Sequence, residues 1–212
     1  MFERWVVEVR DLTVSELCKD LKLKHMIVYT TAKTNEEILQ ILELQKCNLP
    51  QNLTEEQIAT QGFVTVVHSF DTLKKMNSIE QSIIAKDDDR VIGYLLAMTG
   101  ESKNDIPVLI PMFNAFDNAI YNNKKISEYK YIVVGQVCIA EGWRGQGILD
   151  NCYREYRKHF MDKYDFAITE ILDKNKRSIN AHRRIGFETV HSYPATGDNE
   201  WKVVLWDWRN DQ

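Results

Sequence analysis

The chain has 212 residues, 44% of them hydrophobic and 10% aromatic, enough apolar surface for one sizeable core and too much for a disordered chain. Its formal net charge of -4 provides no overall basic field, so composition speaks against nucleic acid as a partner. No apolar run is of membrane-spanning length, and the charged residues among Met1 to Arg10 interrupt any signal-peptide core.

No Pro/Gly/Ser-rich stretch divides the chain, so a single domain spanning 26–212 is expected, preceded by an extension over 1–25. The extension reads as a short strand, Trp5 to Val9, and a helix beginning near Thr13 or Ser15. Met26 to Thr31 reads as a strand. Thr34, Glu36 and Glu37 then start a helix whose apolar face carries Ile38, Ile41 and Leu42, with Gln45 at the same spacing. Pro50 interrupts the pattern, a short helix follows from Thr54, and Gly62 to Ser69 is a β-rich run. Asp71 to Asn77 fits one or two helical turns. Ser82 to Lys86 and Val91 to Thr99, joined by the polar residues 87–90, suit an antiparallel hairpin. Residues 104–128 form an inserted segment in which Leu109, Met112, Phe113, Phe116 and Ile120 recur at helical spacing. Such a stripe packs on a core or, in a functional reading, walls an acceptor pocket. From Tyr131 the order is strand to Ile139, turn, helix Gly147 to Phe160, strand Phe166 to Leu172, helix Arg177 to Arg184, and two strands ending near Trp208.

Cys18, Cys47, Cys138 and Cys152 lie far apart without a CxxC pair, which points to reduced thiols in a cytoplasmic protein. The five histidines do not cluster with carboxylates or thiols at ligand spacing, so no metal is expected. The turn between Ile139 and Ile148 carries the clearest chemistry. A helix N-terminus offers unpaired amides, and glycines let the backbone approach a ligand closely, so the turn can hold a diphosphate, with Arg144 adding charge. The residues form neither GxxxxGK[ST] nor GxGxxG. A tight turn that binds nothing would use the same glycines.

Arg144-Gly145-Gln146-Gly147-Ile148-Leu149 resembles the diphosphate signature of the Gcn5-related N-acetyltransferases (GNAT): Arg or Gln, two residues, Gly, one residue, then Gly or Ala. Leu149 stands where the family has a small residue. Downstream, Asn175 to Phe187 is similar to the family's NxxSxxx[Tyr or His]xxxGF segment, with Asn175, Ser178, His182, Gly186 and Phe187 at the matching positions. The resemblance implies an α/β (α+β) GNAT fold, with a mixed central sheet splayed at the CoA site and helices on both faces. It implies acetyl-CoA as cosubstrate. Backbone groups of Val137, Cys138 and Ile139 would pair with the pantetheine arm. The amides of Arg144, Gly145, Gln146, Gly147, Ile148 and Leu149 would hold the diphosphate, and Asn175 and Ser178 would complete the cofactor site.

The implied reaction is transfer of an acetyl group to a primary amine of a small molecule or peptide, by direct attack in a ternary complex. Such a reaction needs a neutral amine, a stabilised oxyanion and a proton for the leaving thiolate. By the resemblance, Glu170 would accept the amine proton through water, and His182 would donate to the thiolate or bind the cofactor sulfur. The acceptor would enter near Gln136, Glu170 and the inserted segment. Cys138 reads as a small buried hydrophobe rather than a nucleophile. The alternative reading is a catalytically silent acyl-CoA sensor or interaction protein. The terminal strand, Trp201 to Trp208, is apolar on both faces, which suits either a homodimer contact or the completion of the core.

Overall fold

The computed structural model describes residues 26–209, so the strand and helix expected within 1–25 lie outside the described residues. Strand β1 (Ile27–Thr31) leads into helix α1 (Asn35–Cys47). The helix starts at a capping box: the Glu37 amide donates to Thr34 Oγ1 over 3.2 Å, and the Thr34 amide donates to the Glu37 carboxylate over 3.0 Å. Helices α2 (Glu55–Gln61) and α3 (Phe70–Ile79) follow, each started by a hydroxyl cap, Thr54 and Ser69. Strands β2 (Ile83–Asp87) and β3 (Arg90–Met98) form the expected hairpin, with Asp88 in the left-handed region that Asp tolerates. The inserted segment holds α4 (Ile110–Asn118) and a small hairpin, β4 (Ile120–Tyr121) and β5 (Lys124–Lys125). The remaining elements are β6 (Tyr131–Ile139), α5 (Ile148–Phe160), β7 (Phe166–Leu172), α6 (Lys176–Ile185), β8 (Glu188–Pro194) and β9 (Glu200–Asp207).

The main sheet has the order β1-β2-β3-β6-β7-β9-β8, with helices on both faces. On one face Ile38 and Ile41 of α1, Leu73 and Met76 of α3, and Met112, Phe113 and Phe116 of α4 are buried in one core. On the other, Cys152, Tyr153, Tyr156 and Phe160 of α5 pack with Phe187 and Trp208. Every strand pair is antiparallel except β6 with β7, and that parallel pair extends over three rows only, Tyr131 with Phe166 to Val133 with Ile168. A hydrogen bond from Thr169 Oγ1 to the Val134 carbonyl, 2.8 Å, closes the seam. Beyond it the two strands part. On the other side of β6 the register with β3 slips between Leu96 and Ala97, leaving Gly135 as the extra residue of a bulge. A Cβ there would come within 2.6 Å of the Met98 methyl, which suits glycine to the position.

Two expectations are corrected. The run from Gly62 to Ser69 joins no ladder, because its polar groups are taken elsewhere: the Val64 amide by the Asn48 carbonyl, the Val66 carbonyl by Gln136, and the His68 amide by Gln45. Its β-branched residues fit an extended chain, and its polar groups are satisfied by the Asn48 carbonyl and by the side chains of Gln136 and Gln45 instead of a strand. The inserted segment also packs on the core rather than beside Gln136 and Glu170. Phe116 meets Tyr131 edge-to-face at 6.3 Å, and Tyr121 donates toward Glu188 and Asp207, which puts the segment at the paired end of β6 and β7, away from the splay. Strand β9 lies between β7 and β8, with Val203 and Leu205 in one core and Val204, together with Trp208 just past its end, in the other, so its two apolar faces complete the fold.

Candidate active site

The parting of β6 and β7 opens a cleft of about 490 Å³. Its floor is the turn after β6. Gly142, Gly145 and Gly147 adopt φ values of 84°, 76° and 77°, and a Cβ on any of them would meet nothing within 4 Å. Glycine is therefore required there by backbone conformation rather than by crowding, and the space above the backbone is open. Gly147 is the N-cap of α5 and no side chain caps that helix. The first-turn amides, which have no intrahelical acceptor, belong to residues 148–150, and these line the cleft. Open backbone, uncapped helix and a cation fit a diphosphate.

Arg144 contributes more than charge. Its Nε donates to the Ile139 carbonyl over 2.9 Å and its Nη2 to Asn48 Oδ1, tying the turn to the end of α1. Leu149, the departure from the signature, is partly buried against the α5 core while still bordering the cleft. Val137, Cys138 and Ile139 line the opposite wall, and beyond Val133 the edge of β6 that faces β7 has no strand partner. Burial pushes the Cys138 thiol up to about 12, so the nucleophilic thiolate is disfavoured. Asn175 caps α6 by accepting the Ser178 amide, and Gly186, at φ 119°, ends that helix.

A second cavity, about 90 Å³, adjoins the cleft and shares Phe63, Val64, Val137, Asn175, Ser178 and His182 with it. Thr65, Gln136, Thr169, Glu170 and Trp201 are among the residues that line the second cavity alone. Burial raises the Glu170 carboxyl to about 7, partly offset by a hydrogen bond from the Tyr193 hydroxyl. His182 is 2% exposed. Because the Ser178 carbonyl, 2.8 Å away, can only accept, Nδ1 carries the hydrogen; Nε2 then accepts from the Tyr153 hydroxyl at 2.6 Å. Both ring nitrogens are occupied, and burial lowers the pKa to about 4. The two cavities together are lined by every sequence-expected position except Gln146, whose side chain donates to the Gly142 carbonyl instead, and they leave His182 without a nitrogen aimed at a ligand.

Sequence reasoning missed the buried polar cluster behind this wall. Gln45 Nε2 donates to Gln136 Oε1 at 2.7 Å and to His68 Nδ1 at 2.8 Å; the Tyr94 hydroxyl donates to the same Gln136 oxygen at 2.6 Å. The signal was present in Gln45, a polar residue at the apolar spacing of α1. The cluster fixes residues 62–69 over both cavities. Burial holds His68, like His182, down near a pKa of about 4.

These shifts give a stability prediction. Each neutral histidine favours the fold above its unfolded pKa of 6.5 and loses about 2 kcal/mol by pH 5, because the unfolded chain takes up a proton that the folded chain refuses. Glu170 has the opposite sign: its raised pKa favours the fold at low pH and costs stability as pH rises through about 7, so acidification from pH 7 to 5 returns about 2 kcal/mol. Urea denaturation should show a net loss of about 2 kcal/mol between pH 7 and 5 in the wild type, and roughly twice that loss in Glu170→Gln. Equal losses in the two proteins would contradict the assigned charge states.

Over residues 38–187 the sequence matches the model of the acetyltransferase (GNAT) family, and the chain belongs to that family. No curated protein matches it. Among solved structures it is similar to a GNAT-family acetyltransferase from Streptococcus agalactiae (TM-score 0.58, 12% identity, covering 85% of this chain and 95% of that one). It is also similar to the ribosomal-protein-S18-alanine N-acetyltransferase from Escherichia coli (TM-score 0.55, 9% identity, 86% and 94% covered). A third is NAA60 from Arabidopsis thaliana, solved in complex with acetyl-CoA (TM-score 0.53, 13% identity, 85% and 99% covered). At these identities the likeness shows the fold. Among the described residues no helix is long and apolar enough to cross a membrane, and no group of three or more His, Cys, Asp or Glu could hold a metal ion.

Proposed function

We propose that the protein is an N-acetyltransferase that uses acetyl-CoA and acts on a primary amine of a small molecule or peptide, by direct attack within a ternary complex. The observation that carries this reading is Glu170, a carboxyl raised to about 7, on the wall of a small cavity that opens into the cofactor-sized cleft. Such a carboxyl suits a general base working near neutral pH. When bound, acetyl-CoA supplies an acyl group already activated as a thioester. Amides of residues 145–149 and the charge of Arg144 hold its diphosphate, and the free edge of β6 at 137–139 accommodates its arm. Residues 63–65, Trp201 and Gln136 of the buried glutamine cluster shape the acceptor cavity. Glu170 takes the proton that makes the amine a nucleophile; the nitrogen bonds the acetyl carbon as the carbon–sulfur bond breaks, and the nitrogen's second proton passes by way of water to the departing CoA thiolate.

His182 acts in this reading as a positioning residue. Its one N–H is committed to the Ser178 carbonyl and its imidazolium form is disfavoured by burial, so it is a poor proton donor. It fixes α6 against α5 through Tyr153, and with it Ser178 and Asn175. The Glu170 cavity favours an enzyme over the silent acyl-CoA sensor. The deciding experiment is thiol release from acetyl-CoA across a panel of amines and peptides. Acceptor-dependent release supports the reading; tight acetyl-CoA binding with no release across the panel would favour the sensor.

A further inference from the structure

Glu170 on β7 has a hydrogen-bonding partner two strands away. Its row neighbour on β9 is Val203, while Tyr193 of β8 pairs with Trp201, two residues before Val203. The Tyr193 side chain therefore reaches diagonally across β9 to donate its hydroxyl hydrogen to Glu170 Oε2. Both residues are half-buried. Burial and the carboxylate hold the phenol well above its ordinary range, so it stays a donor at every working pH. An ionised carboxylate accepts on both oxygens, and a charge-assisted bond of this kind is about twice as strong as a neutral one.

The surrounding titratable groups leave that role to Tyr193. His182, on the same cavity wall, is neutral with both nitrogens engaged. Lys202 of β9 directs its ammonium to Glu200, and His191, in the row of Val203, is exposed on the edge strand. Among the described residues, Tyr193 is the only hydrogen-bond partner of the Glu170 side chain.

We propose that Tyr193 is a positioning residue for the transfer reaction, clamping one oxygen of Glu170 so that the other faces the acceptor amine as a carboxylate. Burial alone would leave this side chain rotating and protonated; the phenol counters both. The proposal rests on Glu170 being the base, but its test does not need an acceptor.

The Glu170 carboxyl can be titrated by NMR in protein carrying 13C-labelled glutamate, with the signal identified by its absence in Glu170→Gln. In Tyr193→Phe the midpoint should rise by about one pH unit. A protein with 3-fluorotyrosine at 193, a stronger donor, should move it downward, which guards against a Phe variant that fails to fold. With an accepted amine, the acidic limb of the rate profile should rise in step in Tyr193→Phe, with turnover recovering at high pH. An unchanged midpoint in both variants overturns the proposal. Full turnover in Glu170→Gln would instead remove the base assignment, while the titration still reports whether Tyr193 holds the carboxylate.

Discussion

Glu170→Gln is expected to lower kcat by about 10²- to 10⁴-fold, the usual contribution of a positioned general base, while leaving CoA affinity within about twofold of the wild type. The side chains are nearly isosteric, and Glu170 lines the smaller cavity rather than the larger cleft, so binding of the nucleotide end has no reason to change. The pH dependence carries the sharper signature. A base must be ionised to work, so the wild-type rate should fall as pH drops through about 7, where the buried carboxyl takes its proton. The residual rate of the Gln variant should lack that limb. Steady-state thiol release from pH 5.5 to 9 reads both effects, and a Gln variant with an unaltered profile would rule out Glu170 as the base.

Gly147→Val should weaken CoA binding by about 100-fold or more. Residue 147 sits at φ 77° as the N-cap of α5, a conformation that costs an L-residue about 1–2 kcal/mol and a β-branched one at least as much. The added side chain would also enter the open space over the turn, where the phosphates need to approach the amides. Gly197, at φ 68° in the turn between β8 and β9, provides the control. Gly197→Val carries a similar backbone cost at a site that lines neither cavity, so it should lower stability without changing CoA affinity. Isothermal titration of both variants separates strain from ligand contact. Equal affinity losses would mean that the turn matters only for folding.

The legible parts of this fold were those whose signals are local. The β6-turn-α5 unit and α6 were readable within a residue or two because their boundaries are written by adjacent residues: glycines at positive φ, the Asn175 cap and the Gly186 stop. The bonding of His182 to the Ser178 carbonyl is a contact four residues back and lies within reach of helix reasoning, whereas its Tyr153 partner is 29 positions away. Likewise, the pairing of Glu170 with Tyr193 depends on β9 being inserted between β7 and β8, a sheet order that neither residue's neighbours encode. Of the stripe Leu109, Met112, Phe113, Phe116 and Ile120 the first four were readable as core, while Ile120 lies exposed in β4; periodicity says which face is buried and not where the helix stops or which end of the sheet receives it. The run after Gly62 failed for a related reason: strand propensity measures fit to a pleated surface, while a ladder needs a partner, and here side chains took that place.

The three-row seam between β6 and β7 makes the main sheet two half-sheets, β1-β2-β3-β6 and β7-β9-β8, hinged along a short line. Mechanically this is where the molecule should part first. Amide hydrogen exchange should be slow through β3, which is paired on both sides, and faster along the inner edges at 135–139 and 169–172, each paired on one side only. A ligand lodged between those edges would brace one half against the other. A cosubstrate bound there would supply part of the protein's cohesion, and the ligand-free form would then be the more easily unfolded one.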